Sequence, residues 1–294
     1  MHDAVPRPSP IAIVPGHGES LDTVDRGYVL SLLRAHGAVI FRGFAADSQS
    51  FEALTKRFCA RFLRHVFKDL RPNQSADGTT AQVVVGNGWV SLHGEMNYQR
   101  ARPDVLWFHC VQPPMHGGQT TLADGRQVLA ALSPETRRQF ETQKVRYRRV
   151  VEADVWQPLM RMTYRPAAIM IINMIPQCAA RAVGRDAIEF DFVSEAIRPS
   201  GPGKLPTFIN SVENALEYGA DVTFADGKPI PESTLQDIRR ASLACIEDVC
   251  WEAQDIAMLD NSRVMHGRRS FEGTGRLINA RFGMLARSDK RFMS

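Results

Sequence analysis

Residues 92–98 read LHGEMNY, and this stretch constrains the chain more than any other. Because residues two apart in a strand project to the same face, His93 and Glu95 can point together at one metal ion. Two imidazoles and one carboxylate hold one face of a ferrous ion and leave the opposite positions open for chemistry. Three side chains of one strand cannot form such a facial set, so the remaining ligand must come from a distant segment.

His266 is the candidate for this remaining ligand. It follows Asp260-Asn261, a predicted turn, and precedes Gly267. That context places it at a strand end next to irregular backbone, where ligands often occur. Other histidines either lie in an apolar run typical of a core, as His109 does, or have no carboxylate at a useful spacing.

A second constellation fits a carboxylate. Residues 117–120 read GGQT, a tight glycine turn followed by the hydroxyl of Thr120, and Arg276 begins a strand pattern ten residues after His266. An arginine binds a carboxylate through two parallel hydrogen bonds, and a threonine hydroxyl can add another. A dianionic 2-oxoacid needs such a clamp once it is buried, because an unpaired buried carboxylate is costly.

Helical spacing of apolar residues is clearest near the N-terminus. It predicts one helix over residues 24–35, with Gly37 as its C-cap, and a second over residues 51–62, opened by Ser48 or Ser50. Short apolar or alternating runs then predict strands at residues 38–41, 83–85, 105–110, 143–151, 256–259 and 277–282.

These strands do not alternate regularly with helices. The pattern therefore favours an antiparallel double-sheet core over a doubly wound parallel sheet. We predict a single domain over residues 1–294, mainly β with flanking helices. Residues 152–206, rich in Pro, Gly and Met, are predicted to form an irregular insertion.

The composition is that of an ordinary globular protein. Of 294 residues, 44% are hydrophobic and 23% charged, and the net charge of +4 is too small to favour a nucleic-acid partner. The longest apolar run, residues 167–172, is too short to cross a bilayer, and the N-terminus lacks an apolar signal core. Five scattered cysteines predict reduced thiols. We therefore expect a cytoplasmic protein without a membrane partner.

Several stretches together resemble a known family. They are LHGEMNY (92–98), WFHC (107–110), GGQTTLAD (117–124), and LDN (259–261) through HGR (266–268). From residue 37 onward the chain resembles the taurine dioxygenase / clavaminate synthase-like superfamily of Fe(II)- and 2-oxoglutarate-dependent oxygenases. It is most similar to the SyrP-like branch, associated with amino-acid hydroxylation in peptide natural-product pathways, which VTFADG (222–227) also fits.

The resemblance implies a double-stranded β-helix (jelly roll, cupin-like) core. It implies iron ligation by His93, Glu95 and His266, 2-oxoglutarate binding by Thr120 and Arg276, and O2 as a further co-substrate. The implied reaction hydroxylates, desaturates or cyclises an unactivated C–H of an amino acid or related small natural-product precursor and releases succinate and CO2. Halogenating relatives have a small residue in place of the carboxylate ligand, so Glu95 favours a hydroxylase.

Two positions depart from the family pattern. The SyrP-like enzymes usually have Asn between the first two ligands, where Gly94 stands here. Relatives often have a second arginine four residues after the first, whereas Arg281 lies five residues after Arg276. In a regular strand that spacing faces the opposite side, so Arg281 needs a β-bulge to act as a cofactor or substrate contact.

Further candidate substrate contacts flank the ligands. Gly94, Asn97 and Tyr98 either line a substrate pocket or pack beneath the ligand strand. Arg268 either meets a substrate carboxylate or forms a surface ion pair. The predicted partners are a small-molecule substrate, free or tethered to an aminoacyl carrier protein, and a second copy of the chain in a homo-oligomer.

Two alternatives remain open from the sequence. The first is a metal-dependent jelly-roll enzyme that does not use 2-oxoglutarate, in which Thr120 and Arg276 would be structural. The second is a non-catalytic jelly-roll binding module, against which the intact set of metal ligands argues.

Overall fold

The computed structural model describes residues 10–64, 72–83 and 86–293. Its strands are β1 (Ile11–Ile13), β2 (Ala38–Phe41), β3 (Cys59–Leu63), β4 (Thr80–Gln82), β5 (Val90–His93), β6 (Val105–Gln112), β7 (His116–Gly117), β8 (Thr120–Asp124), β9 (Val145–Val151), β10 (Cys178–Val183), β11 (Ala187–Ser194), β12 (Ile197–Ser200), β13 (Leu205–Phe208), β14 (Asp221–Phe224), β15 (Glu247–Val249), β16 (Ile256–Asp260), β17 (Val264–Arg268), β18 (Phe271–Glu272) and β19 (Leu277–Leu285).

Helices lie between and around these strands. They are α1 (Arg26–His36), α2 (Ser48–Phe58), α3 (Gly125–Ala131), α4 (Pro134–Thr142), α5 (Ala153–Met160), α6 (Arg165–Asn173), α7 (Val212–Glu217), α8 (Glu232–Ala244) and α9 (Arg287–Met293). In the described part of the chain, no helix combines the length and the apolar character needed to cross a membrane.

Two facing sheets form the centre of the fold. The larger has the strand order β1-β2-β16-β6-β19-β3, with β4 also paired to β19, and the smaller has the order β15-β8-β17-β5. Apolar side chains from both sheets share one buried cluster, in which Leu106, Phe108 and Ala280 of the larger sheet join Leu122 and Val264 of the smaller. The predicted mainly-β fold with a double-stranded β-helix (jelly-roll) core and flanking helices is confirmed.

Helices cover the outer face of the larger sheet. Residues that alternate with the inner set, such as Trp107 and Met258, share a second buried cluster with Leu33 of α1 and Phe51 of α2. Because side chains alternate along a strand, β6 and β16 contribute side chains to two different buried clusters, one on each face of this sheet. This alternation decides which side chains can reach the space between the two sheets.

The predictions for the first two helices hold in outline. Helix α1 ends at Gly37, which has the left-handed φ of 79° that favours glycine, as predicted. The predicted cap of α2 was wrong: Asp47 accepts a hydrogen bond from the Ser50 backbone and caps the helix. The helix also ends earlier than predicted, at Phe58, and Phe62 lies in β3.

Two other predictions need correction. Residues 152–206 are regular rather than irregular: they contain α5 and α6, and β10 and β11 extend a four-stranded sheet of order β10-β11-β9-β14. The prolines of this region do not interrupt its helices, because Pro158 is tolerated inside α5 and Pro166 lies in the first turn of α6. Of the strand predicted over residues 83–85, residue 83 is outside any strand and residues 84 and 85 lie outside the described residues.

Candidate metal centre

The strand pairing of the smaller sheet brings two histidines together. Antiparallel pairing places His266 of β17 directly opposite His93 of β5, and the register shifts immediately beyond this pair. The two imidazole rings have centroids 4.3 Å apart. Residues 173 positions apart in the chain thus become neighbours on one sheet, with both rings buried.

Glu95 follows β5 and completes the set. Its Oε2 lies 3.8 Å from Nε2 of His93 and 3.6 Å from Nε2 of His266. Ligand atoms of the three residues all lie within 4.8 Å of one another, and all three side chains are buried. A buried carboxylate between two imidazole nitrogens is the donor set of a facial ferrous site, so these residues fit the metal that the sequence predicts.

The orientation of the first histidine also suits a metal. Nδ1 of His93 lies 2.9 Å from the backbone carbonyl oxygen of Ser91. A ring nitrogen that donates to a carbonyl fixes the tautomer and leaves the other nitrogen, here Nε2, as a neutral ligand. Residue 91 therefore orients the ligand two positions later on the same strand.

Asn261 holds the carboxylate ligand in place through its backbone. The side-chain carbonyl of Asn261 accepts from the Glu95 backbone N–H at 2.8 Å. Its amide donates to the carbonyl oxygens of Glu95 at 3.1 Å and Pro103 at 2.9 Å. One buried side chain thus fixes both sides of residue 95. Sequence reasoning placed Asn261 only in a turn, because nothing local shows that a turn asparagine reaches a residue 166 positions away.

Close packing beneath the ligands explains Gly94. A Cβ atom at this position would lie 1.9 Å from Nδ2 of Asn97 and 2.9 Å from Cγ1 of Ile209. The Gly94 carbonyl accepts from the Ser211 hydroxyl at 2.7 Å, and Asn97 accepts from the Arg198 guanidinium. Gly94 and Asn97 therefore support the ligand loop from behind, which favours the packing role over the pocket-lining one.

Tyr98 also lies away from the ligands. It packs against the cluster that covers the opposite face of the smaller sheet, and the Arg149 guanidinium lies 3.8 Å from its ring centroid. Neither Tyr98 nor the two residues behind the ligands border the cavity described next. A substrate contact by this segment therefore stays a prediction.

A small cavity of about 50 Å³ adjoins the two histidines. Its lining includes Thr120, Arg268 and Arg276 beside the apolar side chains of Val90 and Phe108. Two of the three ligands thus border a mostly apolar space that has hydroxyl and guanidinium donors around it. Such a space suits a ligand with both a metal-binding end and an anionic end.

The hydrogen bonds of Thr120 and Arg276 leave both side chains able to donate to an anion. Nε1 of Trp251 donates to the Thr120 hydroxyl at 3.0 Å, which leaves the hydroxyl proton to be donated elsewhere. Nε of Arg276 donates to the Gly118 carbonyl at 3.0 Å, and no described carboxylate forms an ion pair with this buried arginine. Burial, aided by the nearby positive charge of Arg268, lowers the pKa of Arg276 to about 10, so it is still a cation at neutral pH.

The glycine turn makes this approach possible. Gly118 has a φ of 66°, and a Cβ there would lie 3.2 Å from Cδ of Arg276 and 2.9 Å from Cγ of Pro114. The GGQT stretch therefore does two things: it allows Arg276 to pack closely, and it starts β8 at Thr120. A buried cation and a hydroxyl facing one cavity fit the distal carboxylate of 2-oxoglutarate.

Arg268 belongs to the same cavity. It lies two residues after His266 on β17, opposite Thr120 in register, and is 7% exposed. Its Nη2 donates to the Gly88 carbonyl at 2.9 Å. The alternative of a surface ion pair is therefore wrong, because strand alternation turns residue 268 to the same inner face as residue 266.

Arg281 is not part of the site. It is fully buried on the other face of β19, where its guanidinium donates to the hydroxyls of Thr55 at 2.6 Å and Thr79 at 2.8 Å and lies 3.8 Å from the Phe62 ring centroid. The expectation of a cofactor or substrate contact is corrected. Ile278, Ala280 and Phe282 of β19 all belong to the inner cluster, so the alternating position 281 faces the outer side of the sheet.

The family match agrees with this geometry. The model of the taurine catabolism dioxygenase TauD, TfdA family matches residues 10–281. The chain belongs to this family. It is accordingly an oxygenase that depends on Fe(II), 2-oxoglutarate and O2. Among the described residues, His93, Glu95 and His266 have ligand atoms close enough together to hold the iron.

Individual relatives of this TauD/TfdA dioxygenase are distant. A clavaminate synthase-like protein of Arabidopsis thaliana is 26% identical over 92% of this chain and 88% of its own length. The dapdiamide synthesis protein DdaC of Enterobacter agglomerans is 23% identical over 82% of this chain and 80% of its own length. The solved structure of PvcB from Pseudomonas aeruginosa has a TM-score of 0.62 at 16% identity and covers 94% of this chain and 86% of its own. The nearer resemblance to the SyrP-like branch stays a prediction.

The Asn261 contacts predict a specific effect on metal affinity. Replacing Asn261 with Ala removes the bonds on both sides of Glu95, and we expect a 10- to 100-fold loss of Mn(II) affinity, the size typical when a group that orients a ligand is lost. Mn(II) serves as a redox-stable substitute for Fe(II), and free Mn(II) is measured by its electron paramagnetic resonance signal.

Asn279→Ala is the matched control. Asn279 is 2% exposed, close to the 3% of Asn261, but lies on β19 and its side-chain carbonyl has no partner among the described residues. Both variants are titrated where urea denaturation shows that they are folded. Equal Mn(II) affinities in the two variants would contradict the positioning role of Asn261.

Proposed function

We propose that this dioxygenase hydroxylates an unactivated C–H bond of an amino acid or a related small natural-product precursor. Desaturation or ring closure are variants of the same oxidation. The observation that carries the proposal is the combination of the His93–Glu95–His266 set with the buried cation of Arg276, which lines the same cavity as the two histidines. The substrate class is supported by relatives whose names refer to dapdiamide synthesis and to an isonitrile synthetic pathway.

The residues of the chain have separable tasks. Iron with 2-oxoglutarate supplies the oxidation of a C–H bond by O2, with succinate and CO2 as the co-products. His93, Glu95 and His266 would hold one face of the ion and leave the other face open. Thr120 and Arg276 would orient 2-oxoglutarate through its distal carboxylate, while Val90 and Phe108 keep water from the cavity.

Glu95 favours hydroxylation over halogenation. With His93, Glu95 and His266 as ligands, 2-oxoglutarate and O2 would take the remaining positions on the iron. A halide would need the position that the Glu95 carboxylate would hold. The Asn261 contacts support this role, because they position the backbone on both sides of Glu95.

Arg268 is the proposed contact for an anionic group of the substrate. It borders the same cavity as Arg276, and the repulsion between the two cations is one reason for the lowered pKa of Arg276. A guanidinium group that borders a cavity can bind an anionic group such as a carboxylate through two parallel hydrogen bonds. The co-substrate supplies one such group, and a substrate carboxylate would supply another.

The substrate is free or bound to an aminoacyl carrier protein. The net charge of +4 suits an acidic carrier domain. No observation favours an enzyme independent of 2-oxoglutarate or a non-catalytic binding module, since both leave Arg276 without a counter-ion.

The experiment that tests the proposed function measures the mass of the substrate and the amount of succinate in the same reaction. Enzyme, Fe(II) and air are incubated with free amino acids and with aminoacylated carrier protein, with and without 2-oxoglutarate. We expect one substrate to gain one oxygen, or to lose two hydrogens, with one succinate formed per turnover. Product formation that is unchanged without 2-oxoglutarate would identify the cofactor-independent enzyme instead, and iron removal without loss of function would identify a binding module.

The role of Arg276 gives a separate kinetic prediction. Arg276→Ala removes hydrogen bonds to a charged group, each worth about 1.5–3 kcal/mol, so we expect KM for 2-oxoglutarate to rise about 10- to 100-fold. Succinate formation at varied 2-oxoglutarate measures it. Arg269→Ala is the control, because Arg269 is half-exposed and pairs with Asp248 at the surface. An unchanged KM in the Arg276 variant would remove this residue from the co-substrate site.

A further inference from the structure

The ligand strand β5 lies at the edge of its sheet. In the strand order β15-β8-β17-β5, it pairs with β17 on one side only. The outer side of an edge strand has backbone N–H and C=O groups that no neighbouring strand binds, and such groups need other partners where they are buried. The position of His93, at the end of β5, thus depends on what binds this free edge.

The segment that leads into α7, together with α7 itself, binds the free edge on both sides of His93. The Asn210 carbonyl accepts from the Gly94 N–H at 2.8 Å. The carboxylate of Glu217, at the end of α7, accepts from the Ser91 N–H at 3.2 Å. The other oxygen of the same carboxylate accepts from the Ser91 hydroxyl. The ligand therefore lies between two anchors that one segment supplies.

The donors and acceptors around Ser91 allow one arrangement of its hydroxyl. Nε1 of Trp89, which can only donate, lies 3.3 Å from the Ser91 hydroxyl oxygen. An ionised carboxylate only accepts, so the single hydroxyl proton points to Glu217. Both oxygens of Glu217 are thus used on residue 91. Glu213, one turn earlier on α7, instead pairs with Arg239 at 3.0 Å.

We propose that Glu217 positions the metal ligand His93 through Ser91. The Ser91 carbonyl oxygen lies 2.9 Å from Nδ1 of His93 and sets the orientation of the ring. A shift of residue 91 would therefore turn the imidazole and displace Nε2, which lies 3.8 Å from Oε2 of Glu95. Glu217 acts through another residue, so it is a positioning residue and not a ligand. The inference rests on His93 being a ligand of the iron.

The carboxylate group suits this role better than an amide would. Hydrogen bonds to an ionised acceptor are shorter and about twice as strong as those between neutral groups. Gln at position 217 would keep the length of the side chain but would offer one acceptor oxygen in place of two. One of the two bonds to residue 91 would then be lost. Ser91 is 7% exposed, so little water reaches its hydroxyl to replace the lost partner.

An alternative is that Glu217 only attaches α7 to the sheet. Val212 and Ala215 of α7 are fully buried and belong to the same apolar cluster as Leu92 of β5. This packing already attaches the helix. We therefore expect the loss of the Glu217 charge to change the geometry of the metal centre more than the stability of the fold.

Mn(II) affinity and the spectrum of bound Co(II) test the role of Glu217. In Glu217→Gln, we expect the Mn(II) dissociation constant to rise about 3- to 10-fold, the effect of one lost hydrogen bond. The electron paramagnetic resonance signal of free Mn(II) measures it. Co(II) bound in the same site should show shifted visible d–d bands, because these bands depend on the ligand geometry. Glu213→Gln is the matched control on the same helix, and it should keep the wild-type affinity and bands.

Ser91→Ala tests the same contact from the other side. It removes the hydroxyl that donates to Glu217 and leaves the backbone N–H in place. In this background, we expect Glu217→Gln to weaken Mn(II) binding less than it does in the wild-type chain, because part of the contact is already lost. Fully additive effects of the two substitutions would contradict a path through residue 91.

Urea denaturation shows which variants are folded. If Glu217→Gln does not fold, Ser91→Ala alone is measured, with the same expected direction for Mn(II) affinity and Co(II) bands. A folded Glu217→Gln variant with wild-type affinity and bands would overturn the positioning role, as would equal changes in Glu213→Gln. A wild-type chain that binds no Mn(II) would instead remove the metal centre on which the inference rests.

Discussion

The register between β5 and β17 is the constraint on which the site depends. Pairing places His266 opposite His93, and β17 is held from its other side by β8, where Leu122 lies opposite His266. Side chains alternate along a strand, so a shift of one residue would turn Met265 toward the inner face and His266 away from it. The iron site is therefore a product of sheet pairing as much as of ligand identity.

The register between β8 and β17 brings further polar side chains to the face that bears His266. Arg268 follows His266 by two residues and lies opposite Thr120. Side chains two residues apart in a strand project to the same face, so the proposed substrate contact, Arg268, and one proposed 2-oxoglutarate donor, Thr120, both border the cavity beside the metal ligands.

Residue types and the period-2 alternation of strands predict much of the fold and of the candidate site. The sequence predicts His93, Glu95, His266, Thr120 and Arg276 as one site, and the structure groups the first three and places the other two at the cavity beside the histidines. The opposite orientation of Arg281 also followed from period-2 alternation. Contacts between distant segments could not be read in this way. The Asn261 amide that holds Glu95 depends on how a turn packs after folding, and the close contact of Gly94 with Asn97 depends on a loop conformation.

The regular structure of residues 152–206 also depends on contacts between distant segments. Its prolines and methionines resemble those of a loop, but tertiary packing of α6 against β10 and β11 gives the segment regular structure. Local propensity is a weak guide where packing on a sheet provides most of the stabilisation.

The central claim is that His93, Glu95 and His266 bind Fe(II) and that Arg276 and Thr120 orient 2-oxoglutarate on it. Anaerobic titration with Fe(II) and then 2-oxoglutarate, followed by visible absorption, tests it most directly. We expect a weak charge-transfer band that saturates at one iron and one 2-oxoglutarate per chain and is missing in His93→Ala, while the exposed His17→Gln control keeps it. A folded wild-type chain that gives no band, or an equal band in His93→Ala, would contradict the account.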